Sequence, residues 1–217
     1  MIKLVIFDWD GTLYDSLAGI CNSMLEAGSL VGAPERHYDD IKNIIGLSLD
    51  TAIETVWPEL EDAHRATLTE HYKHIYVSQD QTPPTAYEGV LELLETLRDS
   101  GIKLAVATGK SRRGLNRVMG LTKTQDFFVT SRCADEAVSK PHPLMLEQIL
   151  AELDLKPEEA IMIGDTEYDL NMATNAGMRS VGVTYGAHHQ DRLAACNPHA
   201  IISDIRQLTS ILGLTPH

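Results

Sequence analysis

With 217 residues, a hydrophobic fraction of 43% and 31 acidic against 18 basic residues, the chain has the size and composition of a globular protein with room for one core and an insertion. Its formal net charge of -13 and pI near 5.0 exclude non-specific nucleic-acid binding through a basic surface. No apolar run approaches the roughly 20 residues of a membrane span, and Cys21, Cys133 and Cys196 are too scattered for a disulfide framework or zinc site. With Met1 leading straight into the first strand, the expectation is a cytoplasmic protein, a monomer or weak dimer, with neither nucleic acid nor membrane as partner.

Leu4-Val5-Ile6-Phe7 is a continuous apolar run suited to a strand buried on both faces, and it ends in two carboxylates, Asp8 and Asp10. That is where open α/β sheets bind ligands. Gly11 permits an unusual turn, Thr12 and Ser16 can satisfy free amides, and alternation turns Trp9 away from the two acids. From Ser16 to about Gln81 the pattern is helical. Leu17, Ile20, Cys21, Met24 and Leu25 share a face until a break at Gly28 to Pro34. A second helical stretch starts near His37 and includes Ile41, Ile44 and Ile45, a third runs from Leu49 to Trp57-Pro58, and a fourth from Glu61 to Ser78. Thr82-Pro83-Pro84-Thr85 predicts a stiff return linker.

Strands and helices then alternate. The expected strands are Ile102 to Ala107, Phe127 to Val129, Ala160 to Gly164, Ser180 to Val183 and Ala200 to Ile202. Between them, helices are expected over Gly89 to Arg98, Arg112 to Met119 and Ser139 to Leu153, and a further one after the acidic Asp165 to Asp169 stretch ends at Ala176 with Gly177 as its cap. The fold class is therefore α/β: a Rossmann-like parallel sheet core, residues 1–15 and 83–217, with an inserted helical cap, residues 16–82. Tyr14 and Asp15 are the hinge candidates.

Four polar clusters fall at comparable positions: Asp8 with Asp10, Thr108 with Gly109, Lys140, and Asp165 with Asp169. Parallel strands present their C-terminal ends along one edge, so these clusters can converge. Competing motifs are weaker. Gly109-Lys110-Ser111 imitates the end of a P-loop, but the earlier glycine would fall at Leu104. Lys110, Arg112, Arg113 and Arg117 read as a solvated helix face, with attraction of substrate as the second reading. His71 with His74, and His188 with His189, lack a third zinc ligand in a matching pattern.

A carboxylate is ionised at neutral pH and needs no base to act as nucleophile, but an anionic phosphate repels it unless a cation intervenes. Oxygen ligands at Asp8 and Asp165, with the backbone carbonyl of Asp10, suit Mg²⁺. Thr108, the Gly109 amide and Lys140 would bind phosphoryl oxygens, and Asp169 would orient Lys140 or hold a metal-bound water.

In order and spacing, Asp8-Trp9-Asp10-Gly11-Thr12, Thr108, Lys140 and Gly164-Asp165-x-x-x-Asp169 resemble the four motifs of the haloacid dehalogenase superfamily of phosphohydrolases, most closely its phosphoglycolate-phosphatase-like members with helical caps. The resemblance implies that Asp8 is the nucleophile forming an aspartyl-phosphate and Asp10 the acid and base, acting on a small phosphorylated metabolite. It also implies that the Ile45-Gly46-Leu47-Ser48 loop reaches over the site, with Gly46 and Leu47 helping to select substrate. That loop carries no basic residue, which argues against phosphoglycolate itself. The rival readings are a sugar phosphomutase sharing the same intermediate and a low-turnover regulatory binding protein.

Overall fold

A computed structural model of the chain describes residues 1–79 and 84–214. The first strand, β1 (Leu4–Phe7), leads through the acidic turn to a short strand β2 (Tyr14–Asp15) and four helices: α1 (Leu17–Leu30), α2 (Tyr38–Lys42), α3 (Leu49–Val56) and α4 (Asp62–Gln79). The chain returns in β3 (Thr85–Ala86) and continues as α5 (Val90–Asp99), β4 (Lys103–Thr108), α6 (Arg112–Thr122), β5 (Thr130–Cys133), α7 (Leu144–Leu153) and β6 (Ala160–Gly164). It ends with α8 (Glu167–Asn175), β7 (Arg179–Val183), α9 (Gln190–Ala195), β8 (Ala200–Ile202) and α10 (Leu208–Ile211).

Six strands pair in parallel in the order β5-β4-β1-β6-β7-β8, which is the parallel α/β sheet the sequence predicts. All four residues of β1 are fully buried because both of its neighbours and both sheet faces cover it. Val5 and Phe7 pack with Val106, Ile161, Ile163 and the α5 leucines on one face, whereas Leu4 and Ile6 pack with Ala105, Met162 and α7 on the other. The chain order reverses at β1, between β4 and β6. Asp8, Thr108 and Asp165 stand at the C-terminal ends of those three strands, the crevice where such sheets bind ligands.

Helices α1 to α4 bury an apolar cluster of their own, with Ile20, Met24, Ile41, Ile53, Trp57 and Leu68 at its centre. Their two connections to the sheet run side by side, since Tyr14 and Asp15 pair antiparallel with Ala86 and Thr85. Residues 82 and 83 of the expected linker lie outside the described residues.

Several expected boundaries differ from the observed ones: α2 ends at Lys42, short of Ile44 and Ile45, α6 runs on to Thr122, and three more differ as follows. Helix α1 does not break at Gly28 but continues to Leu30, because the missing side chain leaves room for the Trp57 ring. A Cβ at Gly28 would stand 2.8 Å from that ring. The strand expected over Phe127 to Val129 is displaced: Gln125–Phe127 forms a single 3-10 turn, and β5 is the polar segment Thr130–Cys133. As an edge strand it needs little apolar content, and Arg132 and Thr130 instead bond Glu152 of α7. Helix α7 begins at Leu144, so Pro141 and Pro143 shape its approach rather than its first turn.

Candidate active site

Asp8 is almost fully buried at the tip of β1. Its Oδ1 accepts hydrogen bonds from the Trp9 amide at 2.7 Å and pairs with Lys140 Nζ at 3.0 Å, while its Oδ2 is buried with no hydrogen-bond partner. Lys140 is inaccessible to solvent at its side chain and also donates to Asp169 Oδ1 at 2.6 Å. A buried lysine is tolerable only between such anions. Burial alone would lower its ammonium pKa, but Asp169 and Asp8 more than reverse this and hold it well above its usual value.

The loop after β6 supplies the other two acids. Asp165 Oδ1 accepts from the Thr12 hydroxyl at 2.8 Å and its Oδ2 from the Ala187 amide at 2.7 Å. Asp169 lies in the first turn of α8, where its Oδ2 accepts from the Thr166 hydroxyl and amide, so both of its oxygens are engaged. Gly11 makes this crowding possible: its φ is +76°, and a Cβ there would lie 2.2 Å from Asp165 Oδ2.

Asp8, Asp165 and Asp169 each present an oxygen within 4.8 Å of the others. Burial pushes the Asp8 carboxyl well above the usual carboxylate range, with Lys140 opposing and the other acids reinforcing the shift. Burial, then Asp169, pushes Asp165 up to about 7 against the Ala187 amide, the Thr12 hydroxyl and Lys140. An unpartnered carboxyl oxygen beside two further carboxylates is the environment that a hard divalent cation relieves.

Asp10 stands apart from this cluster. Its Oδ1 receives both the Ser16 hydroxyl, at 2.5 Å, and Lys110 Nζ, at 3.0 Å. Lys110 is therefore not part of a solvated helix face: its side chain is only 9% exposed, and it also donates to the Tyr76 phenol of α4 at 3.3 Å. Arg112 does face solvent in part and pairs with Glu136. Thr108 is buried at the end of β4, with its oxygen accepting the Lys110 amide at 3.2 Å.

Besides the Tyr76 contact, the helical segment meets the sheet through its α2–α3 loop. The carbonyls of Gly46 and Leu47 rest on Gly109, where an added Cβ would stand 2.7 and 2.4 Å from them, and the Ser48 amide donates to Ser139 Oγ at 2.9 Å. Beside this, the Asn43 carbonyl accepts from the Tyr168 hydroxyl at 3.0 Å and from His188 Nε2 at 3.0 Å. His188 Nδ1 accepts the Glu167 amide, which fixes the neutral tautomer with its proton on Nε2. Burial lowers this histidine's pKa and favours the same neutral form. None of His71, His74, His188 and His189 belongs to a metal-suited group among the described residues. Sequence reading missed Tyr76, Asn43 and Ala187 as site neighbours, gave Ser16 free amides rather than Asp10 as its partner, and read Lys110 as solvated, which its burial contradicts.

The family model for haloacid dehalogenase-like hydrolases matches residues 5–183. The chain belongs to that family. It is 31% identical over 215 residues to pyrophosphatase PpaX of Anoxybacillus flavithermus, covering 99% of this chain and 98% of that one. It is also 31% identical over 219 residues to a phosphoglycolate phosphatase of Vibrio vulnificus, covering 97% and 96%. Among solved structures, a hydrolase from Pseudomonas syringae superposes with a TM-score of 0.89 at 24% identity over 98% of both chains, a likeness of fold. Family, fold class and enzymatic character thus agree with the sequence reading, and phosphatase is what these curated relatives are named for.

Proposed function

We propose that this haloacid dehalogenase-like enzyme is a Mg²⁺-dependent phosphatase that hydrolyses a small phosphorylated metabolite through an aspartyl-phosphate on Asp8. The observation that carries this reading is Asp8 itself: one oxygen fixed by Trp9 and Lys140, the other buried, unpartnered and next to two more carboxylates. Asp8 and Asp165 would hold the ion with the Asp10 carbonyl, and Asp169, whose Oδ1 already accepts the Lys140 ammonium at 2.6 Å, would orient Lys140. Bound there, Mg²⁺ supplies charge neutralisation that lets a carboxylate approach a phosphate.

Asp8 then attacks phosphorus in line, forming its own P–O bond as the ester P–O bond breaks, and Asp10 gives a proton to the departing oxygen. Because Ser16 and Lys110 both occupy Oδ1 of Asp10, the proton in transit belongs on Oδ2. In the second half, water attacks the same phosphorus and yields its proton to Asp10, which frees Asp8 and inorganic phosphate. Thr108 and the Gly109 amide would hold phosphoryl oxygens, with Lys140 as the fixed cation. Residues 16–82 would act as a cap over a core of residues 1–15 and 83–217, with the Gly46 and Leu47 carbonyls closing on Gly109. Among the described residues no helix is long and apolar enough to cross a membrane.

The test is release of inorganic phosphate from a panel of small phosphoesters with Mg²⁺, beside Asp8→Asn and a chelated control. Turnover that disappears in both controls is expected. Turnover that survives Asp8→Asn contradicts the mechanism, and a requirement for a sugar bisphosphate activator would point to a mutase instead.

A further inference from the structure

We infer that Lys110 is a positioning residue for proton transfer: from the end of β4 its ammonium holds the Asp10 carboxyl in one orientation and leaves Oδ2 for the proton in transit. The inference rests on the phosphatase reading and adds a residue to the acid and base part of the same site. Lys110 does not touch the reacting atoms. It acts through Asp10, whose charge already matches its own.

An ammonium only donates, and each carboxylate oxygen has two acceptor positions. On Oδ1 of Asp10 they are taken by Lys110 Nζ at 3.0 Å and the Ser16 hydroxyl at 2.5 Å. A proton carried by Asp10 therefore has Oδ2 to sit on. Turning the carboxyl plane would break both contacts at once, inside a pair whose side chains are each about nine-tenths buried. Ser16 lies on the same stretch of chain as Asp10, whereas Lys110 reaches it from a different strand. Because β1 and β4 are paired, with Phe7 opposite Val106, the register of the sheet sets the distance between the two residues.

Lys110 is a strut rather than a loose counter-ion because both of its ends are pinned. Its amide donates to Thr108 Oγ1 at 3.2 Å and its carbonyl accepts the Ala134 amide at 2.9 Å, which ties its backbone to the end of β4 and to the loop after β5. At the far end Nζ donates to the Tyr76 phenol, 3.3 Å away, and lies 5.1 Å from the centre of that ring. Tyr76 is itself braced by stacking on Tyr72, their centroids 5.6 Å apart and planes 13° from parallel. One residue thus links two tasks: its amide directs the Thr108 hydroxyl proposed to hold a phosphoryl oxygen, and its ammonium aims the acid. A misplacement of about 1 Å in such a group costs up to about 100-fold in rate.

The experiment compares kcat/KM, which covers the steps up to departure of the leaving group, for p-nitrophenyl phosphate and for the fastest alkyl monophosphate of the panel, both with Mg²⁺. Nitrophenolate departs without a proton and an alkoxide does not, so only the alkyl ester needs a well-aimed acid. Lys110→Met is expected to lower kcat/KM about 10- to 100-fold for the alkyl ester and less than about 3-fold for p-nitrophenyl phosphate. Tyr76→Phe keeps the ammonium and removes one of its supports. It should shift the ratio in the same direction by about 2- to 5-fold with the melting temperature retained, and it decides the matter if Lys110→Met does not fold. Asp10→Asn is the reference and should show the same bias most strongly. If Asp10→Asn shows the bias while Lys110→Met slows both esters alike or neither, or while Tyr76→Phe leaves the ratio unchanged beside an unfolded Lys110→Met, the positioning role is overturned and the phosphatase reading stands. A wild type that takes p-nitrophenyl phosphate but no alkyl monophosphate gives Asp10 no proton to deliver and overturns it too. An Asp10→Asn that slows both esters alike removes the acid itself, and with it this step of the phosphatase reading as well.

Discussion

The sheet edge and the helical segment contribute to one site in different ways. At the edge, charged side chains follow directly from strand ends: Asp8 from β1, Thr108 from β4 and Asp165 from β6. Each is held by neighbours that are themselves buried, so position and chemistry are fixed together. The helical segment gives mostly backbone, through the carbonyls of Asn43, Gly46 and Leu47, and one phenol at Tyr76, from a surface whose own core faces away toward Ile53 and Trp57. On the proposed reading, the sheet edge would carry the chemistry and the helices that pack on themselves would close over it.

The largest effect that would break this contrast is at Lys140. Lys140→Ala leaves Asp8 and Asp169 buried without their cation, and unfolding in urea should show a loss of about 3–5 kcal/mol together with near-complete loss of turnover. A Lys140→Ala protein as stable as wild type would mean that the acids are not held as charged partners. On the other side, Ile53→Ala, at a 1% exposed position of the helical core, should cost about 2–5 kcal/mol. Hydrogen exchange should place the loosening in α1 to α4 and spare β1, β4 and β6. Protection lost equally in the sheet would refute an independent helical core.

At the seam, Gly109→Ala drives a Cβ into the Leu47 and Gly46 carbonyls and should weaken closure by about 1–3 kcal/mol. A higher KM and faster proteolysis between α2 and α3 are the expected readouts. The smallest effects are those of pH. Asp165 has a folded-state pKa raised to about 7, so the folded protein binds more protons than the unfolded one between about pH 4 and pH 7. Stability without a divalent ion should therefore fall as pH rises through that window, and the increase in melting temperature given by Mg²⁺ should be larger at about pH 8 than at about pH 6. His188 has the opposite sign: lowered in the fold, it withholds a proton that the unfolded chain takes up, so its share of stability falls away as pH drops below its ordinary value of 6.5. In His188→Gln that acid-side slope should flatten.

The same contrast explains what could be read in the sequence. Asp8, Thr108 and Asp165 were legible because a buried parallel strand is a short apolar run, and whatever follows it lands on the binding edge. Lys140 and Asp169 were legible only as parts of an ordered set. Lys110 was misread because it was grouped with its basic neighbours Arg112, Arg113 and Arg117 as one face, whereas its partners Asp10 and Tyr76 lie 100 and 34 residues away in sequence. Asn43, Ala187 and Tyr76 carry no local signal at all. Two of them act through backbone atoms that every residue has, and the third depends on how α4 packs over the sheet. The displaced β5 failed for a related reason: an edge strand bonded through Arg132 and Thr130 to Glu152 has no apolar run to find.

The proposed mechanism requires that Asp8 becomes covalently phosphorylated. The direct measurement mixes enzyme, Mg²⁺ and the best ester of the panel, quenches in acid within a single turnover, and maps peptides by mass. One phosphoryl group is expected on the peptide spanning Asp8, absent in Asp8→Asn and decaying as inorganic phosphate appears. Full turnover with no phosphorylated peptide, or with the phosphoryl group on another residue, would contradict it.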